Sequence, residues 1–376
     1  MSPISRRQLI QCGLGSAFAP LPGLATIDKQ SGPLEASSYL GGKMKGFAIG
    51  TVEKRGNDVL YFDALTATGA NVARIGFPFK KCRNCTQFGR SPADVLALKR
   101  ILNWARIREI KIVVVGGFDD QDKPGFWHDS ALRESFVTNW EWFATTFQND
   151  SALAGLDLMN EPNPPRSTGK LAEAHALWRP LAERAIAAIR AAGVTLPVIY
   201  EGVGGGQVEG LRDFEPFNDR QVVYSIHVYT THHITHQRVA PAWPLTIPYP
   251  AGPEWQFSDS AFKDYKGKAG GWDRARLEIA LKDIIAFQRD HKVPIFIGEF
   301  SCVRWAPNGS AGRYVADCLE IFRKYGWSWC YHEFRGWPGW DAEISSEEPS
   351  NTVRSPDAPV MALLQAEMMG NIRGRL

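Results

Sequence analysis

The feature that most constrains the fold is a regular alternation of apolar, strand-like runs with helical segments. Runs rich in β-branched residues that alternate with amphipathic stretches are typical of parallel strands connected by helices. Eight such runs occur, at residues 44–50, 71–77, 111–118, 153–161, 197–202, 222–229, 293–300 and 327–332. Among the helical segments between them, Ser91 with Pro92 is expected to start one helix, and residues 273–290 are expected to form a single helix. The pattern predicts an α/β protein, a (β/α)₈ TIM barrel with long loops that form a cleft at the carboxyl ends of the strands.

An open doubly wound sheet is the competing topology. It is disfavoured because no glycine-rich phosphate loop follows the first predicted strand. The run Gly204-Gly205-Gly206 follows the fifth strand instead and is better interpreted as a flexible turn. No low-complexity linker divides the alternating segments, so we expect a single barrel domain over residues 26–376.

The charge and aromatic content of the chain indicate what kind of ligand it binds. The formal charge of the 376-residue chain is only +3 and the basic residues are scattered, which argues against a nucleic-acid surface. Hydrophobic residues at 44% and charged residues at 22% are ordinary for a globular domain. Several of the 13 tryptophans lie in predicted loops, which have little core to fill, so we expect some of their rings to face a ligand.

The N-terminus resembles an export signal. The run from Ser5 to Ile10 contains the Arg-Arg pair of bacterial twin-arginine signals, and Gly23-Leu24-Ala25 offers a small-x-small cleavage site. The apolar stretch between them is too short and too broken by Gly and Pro to span a membrane. We expect residues 1–25 to direct export to the bacterial periplasm or exterior; a disordered tail is the alternative.

Cysteine spacing gives little support to a metal or redox centre. Cys82 and Cys85 form a C-x-x-C in a predicted loop, but no second pair with zinc-finger spacing and no thioredoxin-like pattern accompanies them. Export would favour a local disulfide between them. Cys302, Cys318 and Cys330 are expected to be small buried residues or to form one further bridge.

Two of the predicted strands end in a glutamate. The seventh run places Glu299 near its end, and the fourth run ends at Asn160-Glu161-Pro162. A lone carboxylate buried at the end of an apolar strand is costly unless it is paired or hydrogen-bonded. Because the carboxyl ends of barrel strands lie on one face, we expect Glu161 and Glu299 to face each other across the mouth of the barrel.

These glutamates lie within recognisable motifs. Asn160-Glu161-Pro162 and Ile297-Gly298-Glu299-Phe300 resemble the two signatures of glycoside hydrolase family 5, the cellulase family. Arg74 at the end of the second strand and His227-x-Tyr229 at the end of the sixth also match that family. The resemblance spans residues 44–337. A lone Asn-Glu-Pro is a weak signal, but the full set in this order on these strands is specific.

The resemblance implies a retaining glycosidase without a cofactor, in which Glu161 is the acid/base and Glu299 the nucleophile. Retention of configuration requires the two carboxyl groups to lie about 5–5.5 Å apart. Glu161 is expected to be protonated in the resting enzyme and to act as a base once Glu299 is glycosylated.

The other matching residues are expected to support this pair. Arg74 is expected to keep Glu299 ionised, since an opposite charge favours the charged form, and Tyr229 to donate to the same carboxylate. The resemblance implies that Asn160 binds the sugar 2-hydroxyl. His227 is expected to orient a carboxylate or a sugar hydroxyl.

A metal site is the alternative interpretation of the histidines. His227, His232, His233 and His236 match no zinc motif, and the last three lie in the long connection 231–272, so we expect no metal ligand among them. A metal-dependent hydrolase on the same barrel would lose activity with a chelator. A non-catalytic carbohydrate-binding barrel would show affinity without turnover.

The chain departs from the family at two positions. Many members carry a histidine at the end of the third strand, where this chain has Gly116-Gly117-Phe118, and a tryptophan at the end of the eighth, where it has His332. Trp337 or Phe118 is expected to replace that sugar platform. The side chains expected to bind substrate are Phe118, Trp127, Trp243, Trp255, Trp305, His332 and Trp337. We expect a monomer that acts on a β-linked glucan or mannan, with a β-1,4 linkage favoured.

Overall fold

The computed structural model describes residues 34–81, 87–119, 121–241, 243–255 and 271–373. The strands in these ranges are β1 Lys45–Thr51, β2 Val72–Lys81, β3 Phe88–Gly89, β4 Lys111–Phe118, β5 Leu153–Asp157, β6 Val198–Glu201, β7 Val222–Val228, β8 Ile295–Phe300 and β9 Ser328–Tyr331. The helices are α1 Val52–Arg55, α2 Val59–Ala67, α3 Pro92–Ile107, α4 Pro124–His128, α5 Ser130–Phe147, α6 Leu171–Ala191, α7 His232–Thr235, α8 Arg274–Ala280, α9 Lys282–His291, α10 Ser310–Tyr325 and α11 Pro359–Arg373.

In this part of the chain, eight strands close a parallel barrel. β1 pairs with both β2 and β9, and the remaining ladder runs through β8, β7, β6, β5 and β4 to β2. The short β3 pairs antiparallel with the end of β2 and stays outside the barrel. Closure leaves none of these eight strands with an unpaired edge. The predicted (β/α)₈ barrel is therefore confirmed, and the open-sheet alternative is wrong because β1 has a partner on each side.

The N-terminal end of the barrel is closed by apolar side chains. A 3₁₀ helix, Ala36–Tyr39, lies at this end, and the ring of Tyr39 packs edge-on against Phe296 at a centroid distance of 5.4 Å. Inward-pointing side chains from successive strands form one buried cluster here: Met44, Val72, Val113, Ala154, Ile199, Val223, Phe296 and Cys330. This end of the barrel is therefore a packed core, and the polar side chains lie above it, toward the carboxyl ends of the strands.

Local sequence explains where the outer helix α3 begins, whereas a break in another predicted helix has no such signal. Ser91 caps α3 by accepting from the backbone N–H of Asp94, with Pro92 in the first turn. The single helix predicted at 273–290 is instead two helices, α8 and α9. They meet at Leu281, whose N–H bonds to the carbonyls of both Leu277 and Glu278, so the chain tightens there before α9 begins.

The cysteines in the described residues carry no bridge. Cys302, Cys318 and Cys330 are buried free thiols, so the alternative of one further disulfide among them is wrong. The predicted pairing of Cys82 with Cys85 and the export signal at 1–25 lie outside the described residues. Among the described helices, none combines the length and apolar character needed to cross a membrane.

Candidate active site

A buried cluster of charged side chains lies at the carboxyl ends of the barrel strands, with Arg74 from β2 at its centre. The guanidinium donates from Nη1 to Glu299 (2.7 Å) and from Nε to Asp157 (2.9 Å). Its Nη2 donates to Glu201 (2.6 Å) and to the amide oxygen of Asn160 (2.9 Å). One planar donor group therefore fixes side chains from β5, β6 and β8 relative to one another.

Both carboxylate oxygens of Glu299 have donors. Oε1 accepts from Arg74, Oε2 accepts from the hydroxyl of Tyr229 at 2.8 Å, and Nδ1 of His332 lies 3.3 Å from Oε2. Burial alone would raise the pKa of Glu299, but the charges of His332, His227 and Arg74 outweigh it and hold the pKa well below its usual range. Glu299 is an ionised, oriented carboxylate.

Glu161 lies just beyond β5 and reaches toward the same space. Its backbone has a φ of +50°, in the left-handed region, and its N–H donates to Glu201 at 2.9 Å. Its side chain is 41% exposed, and Oε1 lies 2.8 Å from Nδ1 of His227. A carboxylate oxygen of Glu161, a ring nitrogen of His227 and a carboxylate oxygen of Glu299 all lie within 4.8 Å of one another. This spacing matches the carboxyl separation of about 5–5.5 Å in retaining glycosidases and not the 6.5–9.5 Å of inverting ones.

Sequence reasoning did not single out Asp157 and Glu201, which end β5 and β6 and are fully buried. Burial and the neighbouring Glu201 raise the pKa of Asp157 well above its usual value, against the effect of Arg74. Burial opposes ionisation of Glu201, but His227 and Arg74 lower its pKa. Both residues end apolar strands, so the criterion that selected Glu161 and Glu299 could have found them.

Glu161, His227 and Glu299 open into a cleft of about 550 Å³. One wall is formed by His232, His236, Trp243 and Trp340, here called the imidazole–indole wall. Within this wall, His232 stacks on Trp243 at 5.6 Å and 20°, and His236 meets Trp340 edge-on at 4.9 Å. A second cavity of about 530 Å³ shares three of the cleft-lining residues, so the two form one groove; the shared residues are Asn163, Gln207 and Glu209.

Two of the predicted substrate-binding aromatics belong to the core instead of the cleft. Phe118 is 4% exposed, because the end of β4 packs under α5, and its ring stacks on Phe79 at 4.6 Å. Trp127 is 1% exposed, and its indole N–H donates to a backbone carbonyl. The expectation that Phe118 and Trp127 bind substrate is therefore wrong. Trp243 and His332, in contrast, line the cleft.

The remaining predicted aromatics form a graded series from core to surface. Trp305 is 8% exposed and donates to the carbonyl of Gln237, and the half-buried Trp255 packs against the core. Trp337 is 40% exposed and lies 4.7 Å, centroid to centroid, from Trp340. The ring of Trp305 meets that of Trp337 edge-on at 5.4 Å, and Trp337 extends the imidazole–indole wall through its contact with Trp340. Trp340 itself was not among the predicted residues.

The glycine at the end of the third barrel strand is explained by packing. A Cβ added at Gly116 would lie 2.6 Å from the ring of Phe118 and 2.8 Å from that of Trp140. The two aromatic rings occupy the space that a larger side chain would need. The departure from the family pattern at this strand therefore accompanies a denser aromatic core behind the site.

Within the described residues, Glu161, His227 and Glu299 form the group whose spacing could hold a metal ion. Their donor atoms are already engaged with one another and with Arg74 and Tyr229. Burial opposes charge on His227, but neighbouring carboxylates raise its pKa well above the usual value. A divalent cation would have to displace these contacts, and we assign no metal there.

A (β/α)₈ barrel with two close glutamates at the carboxyl ends of its strands is the arrangement of a glycoside hydrolase. The family profile described as Cellulase (glycosyl hydrolase family 5) matches residues 38–336. The chain belongs to glycosyl hydrolase family 5, and it is an endoglucanase-like O-glycosyl hydrolase.

Known relatives agree with this assignment. The chain is 22% identical over 312 residues to Endoglucanase C of Acetivibrio thermocellus, covering 76% of this chain and 85% of that protein. It is 27% identical over 168 residues to an endoglucanase of Paenibacillus polymyxa, covering 39% and 40% of the two chains. Endoglucanase Cel5A of Thermotoga maritima superposes on the chain with a TM-score of 0.66 at 18% identity, and the superposition covers 88% of this chain and 100% of Cel5A. The cellulose synthase subunit Z of Clostridioides difficile gives 0.65 at 18% identity, covering 85% and 99%; at such identities the likeness shows the shared fold.

Proposed function

We propose that this protein is a monomeric, retaining β-glycanase that cleaves a β-1,4-linked glucan or mannan by double displacement. The observation that carries the proposal is the approach of Glu161 and Glu299 within 4.8 Å, at the floor of one open groove. The relatives named as endoglucanases favour a glucan. Structures of Thermotoga maritima Cel5A in complex with cellobiose and with mannotriose support either sugar.

In the first step Glu299 attacks the anomeric carbon as the bond to the leaving oxygen breaks, and Glu161 gives its proton to that oxygen. Arg74 and Tyr229 hold the attacking carboxylate ionised and in a fixed orientation. Asn160 accepts from Arg74 through its amide oxygen, which leaves the amide N–H groups to donate to the sugar 2-hydroxyl.

In the second step water attacks the anomeric carbon of the glycosyl-enzyme. Glu161, now a carboxylate, takes a proton from this water, and the bond to Glu299 breaks to release the nucleophile. Two successive inversions at one carbon retain the β configuration. Nδ1 of His227 lies 2.8 Å from Oε1 of Glu161. This contact keeps the carboxyl group of Glu161 pointed at the reacting oxygen in both steps.

The test is a panel of β-1,4-glucans, β-mannans and aryl β-glycosides with purified mature protein. We expect new reducing ends from a β-1,4-glucan or a mannan, at a rate that a chelator leaves unchanged. Affinity for these polymers without turnover on any substrate would instead indicate a carbohydrate-binding barrel. Activity lost to the chelator and restored by a metal would indicate a metal-dependent hydrolase.

We further propose that residues 1–25 direct export through the twin-arginine route. Replacement of both Arg6 and Arg7 by Lys is expected to leave the precursor in the cytoplasm, because that signal depends on the arginine pair. Cell fractionation and immunoblotting measure the distribution, and Arg289→Lys, an exposed change far along the chain, is the matched control. Unchanged export of the double variant would contradict this route.

A further inference from the structure

Glu201 contacts three members of the proposed catalytic machinery while lying out of reach of the substrate. Its Oε2 accepts from the backbone N–H of Glu161 at 2.9 Å and lies 3.4 Å from Nε2 of His227. Its Oε1 accepts from Arg74 at 2.6 Å, and its own carbonyl accepts from the indole of Trp178 at 3.0 Å. The side chain is fully buried, so the only groups it can act on are these neighbours.

His227 lies between two carboxylates. Its Nδ1 is 2.8 Å from Glu161 and its Nε2 is 3.4 Å from Glu201. Nε2 makes no hydrogen bond of standard geometry, but an ionised carboxylate only accepts hydrogen bonds, so the charge of Glu201 at 3.4 Å favours a proton on Nε2. Nδ1 is then the ring atom that shares a proton with Glu161. The ring packs closely against the backbone of Gly298, where an added Cβ would lie 2.9 Å from Nε2.

The loop that follows β6 fixes the same pair of side chains. Gly206 has a φ of +68°, and its carbonyl accepts from the backbone N–H of His227 at 2.7 Å. A Cβ added at Gly206 would lie 3.1 Å from Oε2 of Glu201, closer than ordinary side-chain contacts allow. Glycine is required here both by the positive φ and by this close approach.

We propose that Glu201 is a positioning residue of the reaction. Its carboxylate fixes the Nε2–H tautomer of His227. By accepting from the backbone N–H of Glu161, it also fixes the left-handed conformation of that residue. As a result, one proton is shared between Oε1 of Glu161 and Nδ1 of His227. The inference rests on the proposed role of Glu161 as acid/base. The shared proton passes to the glycosidic oxygen in the first step, and a proton from water replaces it in the second, so the pair ends as it began.

Several other charged or titratable groups face this pair and are unchanged by a substitution at Glu201. Arg74 on β2 and the ionised Glu299 on β8 form an ion pair at 2.7 Å, and both groups remain in place when Glu201 is substituted. The groups that face the pair, from all the elements packed against it, are Arg74, Asp157, Glu201, Tyr229, Glu299 and His332.

The experiment is the pH dependence of kcat/KM for Glu201→Gln on the substrate that the wild type hydrolyses. We expect a loss of about 10- to 100-fold at the optimum, part of what general acid–base catalysis contributes. We also expect the alkaline limb to move to lower pH by about one pH unit. The limb moves to lower pH because removing a negative charge beside His227 makes the shared proton easier to lose. Glu201→Asp, which keeps the charge, should restore the limb toward its wild-type position.

Glu183→Gln, an exposed carboxylate-to-amide change on α6, is the matched control and should leave the profile unchanged. An equal loss of rate at every pH, with the limb of Glu201→Gln in place, would show a merely structural role and overturn the inference. Should Glu201→Gln fail to fold, ¹⁵N NMR of the native protein still decides, since Nε2 of His227 must stay protonated from acid to alkaline pH. An inactive wild type would defeat the proposed function, whereas an active one with an unshifted profile defeats this inference alone.

Discussion

Glu299→Gln is expected to reduce turnover by about 10⁴-fold or more while the protein keeps its fold. The amide cannot attack the anomeric carbon, yet it is nearly isosteric with the carboxylate. Its oxygen can still accept from Arg74, and its NH₂ can donate to the hydroxyl of Tyr229. The measurements are kcat on the best substrate of the panel, together with the melting temperature and near-ultraviolet circular dichroism.

The control for the Glu299 variant is Glu183→Gln, the same chemical change at an exposed helix position. It should keep the wild-type rate and melting temperature. A Glu299→Gln protein that is folded and retains more than about a tenth of wild-type turnover would remove Glu299 from the role of nucleophile.

Glu161→Ala is expected to lower the rate on a polysaccharide by about 10²–10⁴-fold, because general acid help and general base help are both lost. A sugar alkoxide leaves badly without a proton, whereas a nitrophenolate leaves well. On a nitrophenyl β-glycoside, formation of the glycosyl-enzyme should therefore persist, and its breakdown should become limiting. A burst of nitrophenolate followed by slow turnover is the signature to measure.

Adding azide to the Glu161→Ala variant tests both the role of Glu161 as a base and the retention of configuration. It attacks without a base and fits the space left by a side chain that was 41% exposed to the cleft. We expect it to rescue turnover and to yield a β-glycosyl azide. An α-azide would indicate a single displacement and contradict retention. Equal losses on both substrates without rescue would indicate that Glu161 has a structural role.

The barrel was predictable because its strands are short apolar runs that alternate with helical segments. The run from Lys111 to Phe118 forms a strand over the predicted residues, and Ser91 caps a helix where the sequence places it. The break at Leu281 was not predictable, since the apolar spacing of that segment continues across it. The residues at 273–290 carry no proline or glycine that would mark a helix end.

The charged centre of the site was partly predictable from strand ends. Barrel topology alone brings Arg74, Glu161 and Glu299 to one face, and the structure places them within hydrogen-bond reach of one another or of a shared neighbour. Glu201 and Asp157 were missed because they stand in no recognised motif. Their positions at the ends of apolar strands could have drawn attention to them, but their shared contact with the guanidinium of Arg74 cannot be seen in the order of residues.

The aromatic residues were the least predictable part. A tryptophan in a loop can fold back into the core, as Trp305 does, or line the groove, as Trp243 does. Composition and position are similar in these cases, and only the path of the loop separates them. The same reason explains why Trp340, three residues beyond Trp337, was not recognised as part of the cleft.

The proposed mechanism requires a covalent glycosyl-enzyme on Glu299. It is tested most directly by incubating the native protein with an activated 2-deoxy-2-fluoro glycoside of the sugar that the substrate panel identifies. The fluorine slows both formation and breakdown of the intermediate, and the activated leaving group restores rapid formation only, so the adduct accumulates. Mass spectrometry of the digested protein should find the fluorosugar on Glu299, in the peptide that contains Ile295–Phe300. A label on any other residue, or turnover of the probe without a covalent adduct, would contradict the mechanism.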